Sequence, residues 1–505
     1  MNTQKSMMNR IMRIKKEIAI TVGAVIAILV ISFGVAQNIA EAFNPYVFFF
    51  AFFALVSVVL IVVGCRMKTD GIAEIFALLM LSIGMAMILV SPFGFTCWDT
   101  DSHYKWALCA SHFGKEVPIT EADLMVLSAA QEFMDIPESL QEQYTQIGMM
   151  NTKTAIAWTI ENEFSLPHVP SGIMLALLRW IGFSFYRMYT LGKIPNLLIY
   201  TLCCYFGIKK LKSGKSIFAI IALFPTNLFL ACNYSYDYWV NGFSMLGMAY
   251  FVGCIQDKEN PISLKDTIIM CAAFGLADIP KYLYIMLLLI PFFMPPKKIK
   301  NKLQYYGICS GVLIMIGIIM IVASVGVASG PGDVRGGDVD PSGQIALIFQ
   351  QPLRYTAILL NFLRGYLSVD NMIGYTSFWA YIGFGSYSAW INILLLFAMF
   401  ADRTVVDENT YSRPLRAFVL LMLFAESAVV ATSMYVAFTP LGHDEINGCQ
   451  TRYLLPLIYP VASVVAGKGI AAIRDQKKFT YLCISVCGVI AWIDIYRMML
   501  TPLMR

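Results

Sequence analysis

The 505 residues contain no P-loop, no dinucleotide fingerprint and no zinc-protease helix, which sets aside the chemistries those motifs carry. The Gly-rich run Gly330-Pro-Gly-Asp-Val-Arg-Gly-Gly follows no strand and reads as a loop. Charge is scarce as well. Only 14% of residues are charged against 58% hydrophobic, the mean hydropathy is +0.66, and the apolar residues form repeated runs separated by basic clusters. No soluble domain or sizeable linker is visible, and the chain reads as an all-α polytopic membrane protein. A net charge of +5 would suit nucleic acid, but the lysines and arginines sit in short loops between apolar runs, where membrane topology accounts for them. No nucleic-acid partner is expected. The 12 cysteines lack the close paired spacing of a zinc site, and most lie within apolar runs as small apolar side chains. Cys97 and Cys109 would lie outside, as a disulfide or as two free thiols. The basic N-terminus has no small-residue cleavage site and reads as an uncleaved anchor.

Ile18–Gln37, Tyr46–Cys65 and Ile72–Pro92 each approach the ~20 residues that cross a bilayer as helix. Basic residues flank their predicted inner ends, so the stretch after the third run falls outside. From Phe93 to about Tyr186 acids outnumber bases: an outer loop domain (93–186) carrying Glu116, Glu121, Asp123, Glu132, Asp135, Glu138, Glu142, Glu161 and Glu163. Within it, Thr120 to Asp123 reads as a capped helix start and Pro170–Phe183 as a surface helix. A core follows (187–327). Its expected spans are Tyr189–Ile208, Ser216–Cys232 and Tyr238–Ile255, then a hairpin of Ile268–Ala277 and Tyr282–Met294 bent at Asp278-Ile-Pro-Lys281, then Leu303–Val327. A second outer segment (328–386) holds a surface helix, Leu353–Leu367. Four spans close the chain (387–505), after the N-terminal helices (1–92). The expected total is about 13 spans, with lysines and arginines at each inner loop and the C-terminus outside.

The chemistry concentrates at Cys97-Trp98-Asp99-Thr100-Asp101-Ser102-His103, where lipid ends and the outer loop begins. Asp99 and Asp101 stand two apart. They suit a general base, or a pair converging on a divalent cation such as Mg or Mn, while either could instead cap a helix starting near His103. His103 could orient a carboxylate or phosphate, or be an ordinary interfacial residue. Lys193, Lys281 and Arg452 are cations on the outer side, against the inside bias, and a lipid phosphate would satisfy them. The competing explanation for Lys281 is a local pair with Asp278. Asp237 could bond a sugar hydroxyl or cap its helix. Glu426 lies inside an apolar run with no partner evident in the sequence, and Asp494 with Arg497 reads as a local pair.

The order of these features resembles a bacterial membrane family catalogued as domain of unknown function 2142, within the GT-C superfamily of integral-membrane glycosyltransferases. The resemblance rests on the early outer Asp pair, a surface helix with Pro near its start, Leu191-Gly-Lys193-Ile-Pro-Asn196, Asn233-Tyr-Ser-Tyr-Asp237, Lys281-Tyr282 and Thr451-Arg452-Tyr453-Leu-Leu-Pro456. It covers most of the chain after about Phe93. Thr100 replaces the Glu of the family's Asp-Glu pair, Lys193 stands where the family tends to have Arg, and two spans more than usual precede the loop. The resemblance implies a GT-C-like enzyme of the bacterial plasma membrane. It would transfer a sugar with inversion, on the outer face, from a polyprenyl-phosphate donor to a lipid-linked or cell-wall glycan. Asp99 and Asp101 would then serve as base or metal ligands, Lys281, Arg452 and Lys193 would meet the donor phosphate, and His103 and Asp237 would meet substrate. Two rivals stand beside it. A flippase for lipid-linked saccharides would favour charges near mid-membrane and internal repeats, and a glycan polymerase or ligase would use Arg354, Arg364 and His443.

Overall fold

The computed structural model describes residues 2–39, 43–67, 70–91, 97–129, 155–328, 333, 336–401, 411–466, 473 and 475–501. Ala130, Glu132, Met134, Asp135, Glu138, Glu142, Lys68, Arg403, Arg474 and most of the Gly-rich run lie outside them.

Three long helices open the chain: α1 (Asn2–Ile39), α2 (Pro45–Arg66) and α3 (Ile72–Val90). Asn44 caps α2 by accepting from the Tyr46 and Val47 amides at 2.9 and 3.2 Å, and Pro45 suits the first turn because its missing N–H had no helical partner there. The segment after α3 contributes α4 (Thr100–Ala110), a two-stranded antiparallel ribbon of β1 (Glu116–Pro118) and β2 (Thr159–Glu161), α5 (Glu121–Ala129) and α6 (Val169–Ile181), and α7 (Phe185–Leu191) leads into the core. The expected cap of α5 is present as a reciprocal pair. Asp123 N–H donates to Thr120 Oγ1 at 3.2 Å, and Thr120 N–H donates to Asp123 Oδ2 at 2.9 Å. The ribbon is an addition to the sequence reading, too short at three residues per strand to show alternation.

The core holds α8 (Ile194–Lys210), α9 (Lys215–Ala222), α10 (Pro225–Ala231), α11 (Asp237–Gln256), α12 (Leu264–Asp278), a 3-10 segment Tyr282–Phe293 and α13 (Lys302–Ala328). The expected span Ser216–Cys232 is broken between α9 and α10, because Pro225 cannot continue a helix that has already begun. The carbonyls freed at the break are satisfied within the protein. Asn227 Nδ2 donates to Ile221 O at 2.8 Å and Tyr200 OH to Ala222 O at 3.0 Å, which lets irregular backbone sit at membrane depth. The charged bend at Asp278–Lys281 also appears, followed by 3-10 rather than α-helix, with Pro291 inside it.

The later helices are α14 (Pro341–Gln350), α15 (Pro352–Tyr366), α16 (Val369–Gly374), α17 (Ser388–Ala401), α18 (Arg413–Ala437), α19 (Leu455–Val465) and α20 (Gln476–Asp494). Among the described residues, seven helices are long and apolar enough to cross a membrane, and three shorter apolar helices accompany them. The expectation of about 13 spans also counted the broken, short and tightly buried segments of the core. The all-α polytopic reading stands. α11 is its centre, with nearly every residue buried, packed against α8 and α12.

Candidate functional site

Cys97 and Trp98 are buried, and Asp99 follows in the left-handed region at φ 55°, a conformation that costs a non-glycine residue about 1–2 kcal/mol. Asp tolerates that region better than most residues. The twist starts α4, whose first backbone bond runs from His103 N–H to Asp99 O at 2.9 Å. The Asp99 side chain makes no cap bond; Oδ2 accepts from Arg452 Nη2 at 3.0 Å. The capping alternative for Asp99 is therefore not the one adopted.

Arg452 bridges two acids, Asp99 and Asp237, with Nη1 3.3 Å from Asp237 Oδ2. Asp237 Oδ1 in turn accepts from Lys281 Nζ at 2.7 Å. The bend after α12 thus aims Lys281 at Asp237, not at Asp278, whose Oδ1 accepts from Tyr284 N–H at 3.0 Å. Aromatic rings enclose the cations: Arg452 lies 4.5 Å from the Trp98 ring centre, and Lys281 lies 4.2 and 4.7 Å from those of Tyr453 and Tyr236. Two acids and two cations balance, and Arg452, Asp237 and Lys281 have side chains only 2, 6 and 7% exposed. Asp99, at 29%, is the member that reaches solvent. Burial pulls the Lys281 ammonium down to about 8, opposed by Asp237. Two Arg452 nitrogens are buried without a hydrogen-bond partner, Nε and Nη1, the latter held only by its ion-pair contact with Asp237.

Asp99 opens onto a cavity of about 410 Å³ also lined by Ser102, His103, Trp106, Tyr236, Asp333, Gln450 and Tyr453. Arg452 and Lys281 stand one layer behind this wall. His103 Nδ1 is 3.0 Å from His168 Nε2, and His168 Nδ1 is 2.7 Å from Ser165 Oγ, a chain in which each contact shares one hydrogen. Burial lowers both imidazoles, His103 to about 3, so the pair is neutral at physiological pH.

The other expected residues fall apart from this cluster. Lys193 is buried and donates to Asn233 Oδ1 at 3.4 Å, 4.9 Å above the Tyr189 ring, on a separate set of partners. Asp101 lies in the first turn of α4, away from the cavity wall. Thr100 is buried with its hydroxyl on Cys97 O at 2.7 Å, so the family's second acid has no counterpart there. Asp99 lines the cavity and Asp101 does not, and among the described residues no group of three or more His, Cys, Asp or Glu is placed to hold an ion. Asp237 neither caps α11 nor faces the cavity, serving instead as the common partner of the two cations. Glu426 accepts from Met286 N–H at 3.3 Å and so holds the 3-10 segment. Arg354, named for the polymerase reading, pairs with Asp444 at 2.8 Å.

Sequence reasoning missed His168 and Asp333. His168 is one of four histidines and follows a proline in the acidic loop, a signal that was available. Asp333 sits in the Gly-rich run read as a plain loop.

The fold and this cluster define an all-helical polytopic membrane protein with a charged, aromatic-walled cavity at one end of its core. The chain belongs to the family described as "Predicted membrane protein (DUF2142)", whose profile matches residues 81–461. Neither the curated proteins nor the solved structures gave a match.

Proposed function

We propose that this protein is a membrane glycosyltransferase, moving a sugar with inversion from a polyprenyl-phosphate donor to a glycan or lipid-linked acceptor at the outer face of a bacterial plasma membrane. The observation that carries the reading is Arg452: a fully buried guanidinium with an unmet Nε–H, bonded to a cavity-facing carboxylate that a phosphate could replace. A donor phosphate taking Asp99's place would gain the planar fork of Arg452, with Lys281 behind it, as negative charge grows on the leaving oxygen. Asp99, released, would accept the proton of the acceptor hydroxyl as the anomeric carbon–phosphate oxygen bond breaks and the new glycosidic bond forms. Tyr236, Tyr453 and Trp106 on the cavity wall suit a sugar ring. A donor held in the membrane explains why the chain needs no nucleotide-binding domain. No step in this scheme is routed through a metal ion.

The test is transfer of labelled sugar from a panel of polyprenyl-phosphate donors by the purified protein, wild type against Asp99→Asn, with and without chelator. Transfer that vanishes in a folded Asp99→Asn protein supports the reading, and the chelator arm decides whether a divalent cation takes part. Donors that stay intact while the protein carries the lipid-linked saccharide across a liposome bilayer would replace it with the flippase reading.

A further inference from the structure

The charged cavity occupies one end of the core, and a second polar cavity occupies the other. It measures about 760 Å³ and is lined by Lys258, Lys297, Lys298 and Lys300, together with Glu259, Asn260, Tyr411 and Ser412. Four cations against one acid leave it strongly positive. Ile255 also lines it, 18 residues along α11 from Asp237, or roughly 27 Å at the rise of an α-helix. α18 spans the same gap. Ser412 caps its start at this cavity, while Met434 and Ala437 line the cavity of Asp99. The two cavities are thus separated by about the thickness of a bilayer's hydrocarbon core.

The walls of the second cavity are fixed in place. Lys298 is buried and donates to Asn260 O at 2.9 Å, and Ile262 N–H donates to Lys298 O at 2.8 Å, so the Asn260 loop and the lysine segment are tied together. Ser412 accepts from Leu415 N–H at 3.3 Å, which sets the N-terminus of the 25-residue α18, with its partial positive charge, at the rim. Beside it the Tyr411 side chain is 8% exposed, and its hydroxyl has no hydrogen-bond partner. A lysine-lined cavity at a helix N-terminus, with the unmet Tyr411 hydroxyl buried in its wall, suits an anion with several acceptor oxygens.

We propose that this cavity binds a phosphate ester anion at headgroup depth on the membrane face opposite Asp99. Lys297 and Lys300, both exposed, supply charge, the α18 N-terminus adds to it, and the Tyr411 hydroxyl donates a directed bond. Lysines scattered as topology signals need only be on that side of the membrane, whereas a binding site needs these residues in this cavity. The proposal is independent of what the Asp99 cavity does.

The test uses the full-length protein in detergent, titrated with short-chain phosphatidylglycerol, with phosphatidylcholine and with inorganic phosphate, and read by native mass spectrometry. Four proteins are compared: wild type, Lys297→Gln/Lys300→Gln, Tyr411→Phe, and Lys209→Gln/Lys478→Gln, which removes two exposed lysines that do not line the cavity. Wild type is expected to prefer phosphatidylglycerol to phosphatidylcholine. At about fivefold per lysine, the cavity double variant should bind roughly 25-fold more weakly. Tyr411→Phe should lose severalfold, and the control double variant should match wild type. If inorganic phosphate saturates the same site as tightly as the lipid, the ligand is a free phosphate rather than a headgroup. Wild-type affinity in both cavity variants, or an equal loss in the control, would overturn the proposal.

Discussion

Replacing Asp237 with Asn tests the charge balance at the centre of the molecule. Asp237 is the acid that both buried cations share, at 2.7 Å from Lys281 and 3.3 Å from Arg452. Asn keeps the shape and an acceptor oxygen but leaves two cations against Asp99 alone, an uncompensated charge where the cation side chains are 7 and 2% exposed. Breaking a buried pair from one side costs about 3–5 kcal/mol. The loss should appear as a lower midpoint of denaturant unfolding, followed by tryptophan fluorescence, with Trp98 beside Arg452 as one reporter. Lys281→Met in the same protein removes the surplus charge and should return at least half of the loss. The defect should also depend on pH. Burial already holds Lys281 near 8, below its ordinary 10.5, and without Asp237 it falls further. The folded variant then sheds that proton at lower pH than folded wild type does, so the defect is largest in acid, shrinks as pH rises towards 8 and is constant above it. An Asp237→Asn protein as stable as wild type, or a double variant losing the sum of both changes, would refute the reasoning.

Further outcomes follow from the same geometry. His103 and His168 are held neutral by burial, so the unfolded chain alone takes up protons below about pH 6.5; stability should fall by ~1–3 kcal/mol per pH unit there, and His103→Gln/His168→Gln should flatten the slope in a pH series of unfolding midpoints. Glu426 acts through one accepted bond from Met286 N–H, so Glu426→Gln should be close to neutral in stability, while Glu426→Leu should cost ~1–3 kcal/mol, measured by the same unfolding assay. Gly172 lets α6 approach α4: a Cβ there would meet the Ala110 carbonyl carbon at 2.7 Å and Ala107 O at 2.9 Å. Gly172→Ala should cost ~1–3 kcal/mol and raise proteolysis of the segment that carries α4 to α6 first.

Much of this was legible in the sequence, and the reasons differ by element. Long uniform apolar runs gave α2, α3 and α13 with nearly their observed ends, whereas α1 begins at Asn2, well before the apolar run that started the expected span at Ile18. The α9–α10 break was visible as Pro225 but not its stability, which depends on Asn227 and Tyr200 reaching the freed carbonyls across the fold. At the candidate site, Arg452 and Lys281 were named from the expense of cations near lipid, Asp99 as one of two acids where the apolar run ends, and Asp237 as an acid at the end of a span. Their pairing was not, since Arg452 and Asp99 are 353 residues apart and sequence spacing offers only the local Asp278–Lys281 alternative. Lys193 carried the same sequence signal as Lys281, yet its partners are Asn233 and Tyr189. A cation at an expected outer position marks a buried charge without revealing which acid, if any, answers it.

The central claim is that Arg452 receives a lipid phosphate when Asp99 lets go. The most direct measurement is the affinity of the purified protein for polyprenyl phosphate, corrected for binding of the uncharged polyprenol, in wild type and in Arg452→Gln. A charge-assisted bond contributes ~1.5–3 kcal/mol, so the phosphate-dependent affinity should drop by about 10- to 150-fold in the variant. A folded Arg452→Gln protein that binds polyprenyl phosphate as tightly as wild type would contradict the account.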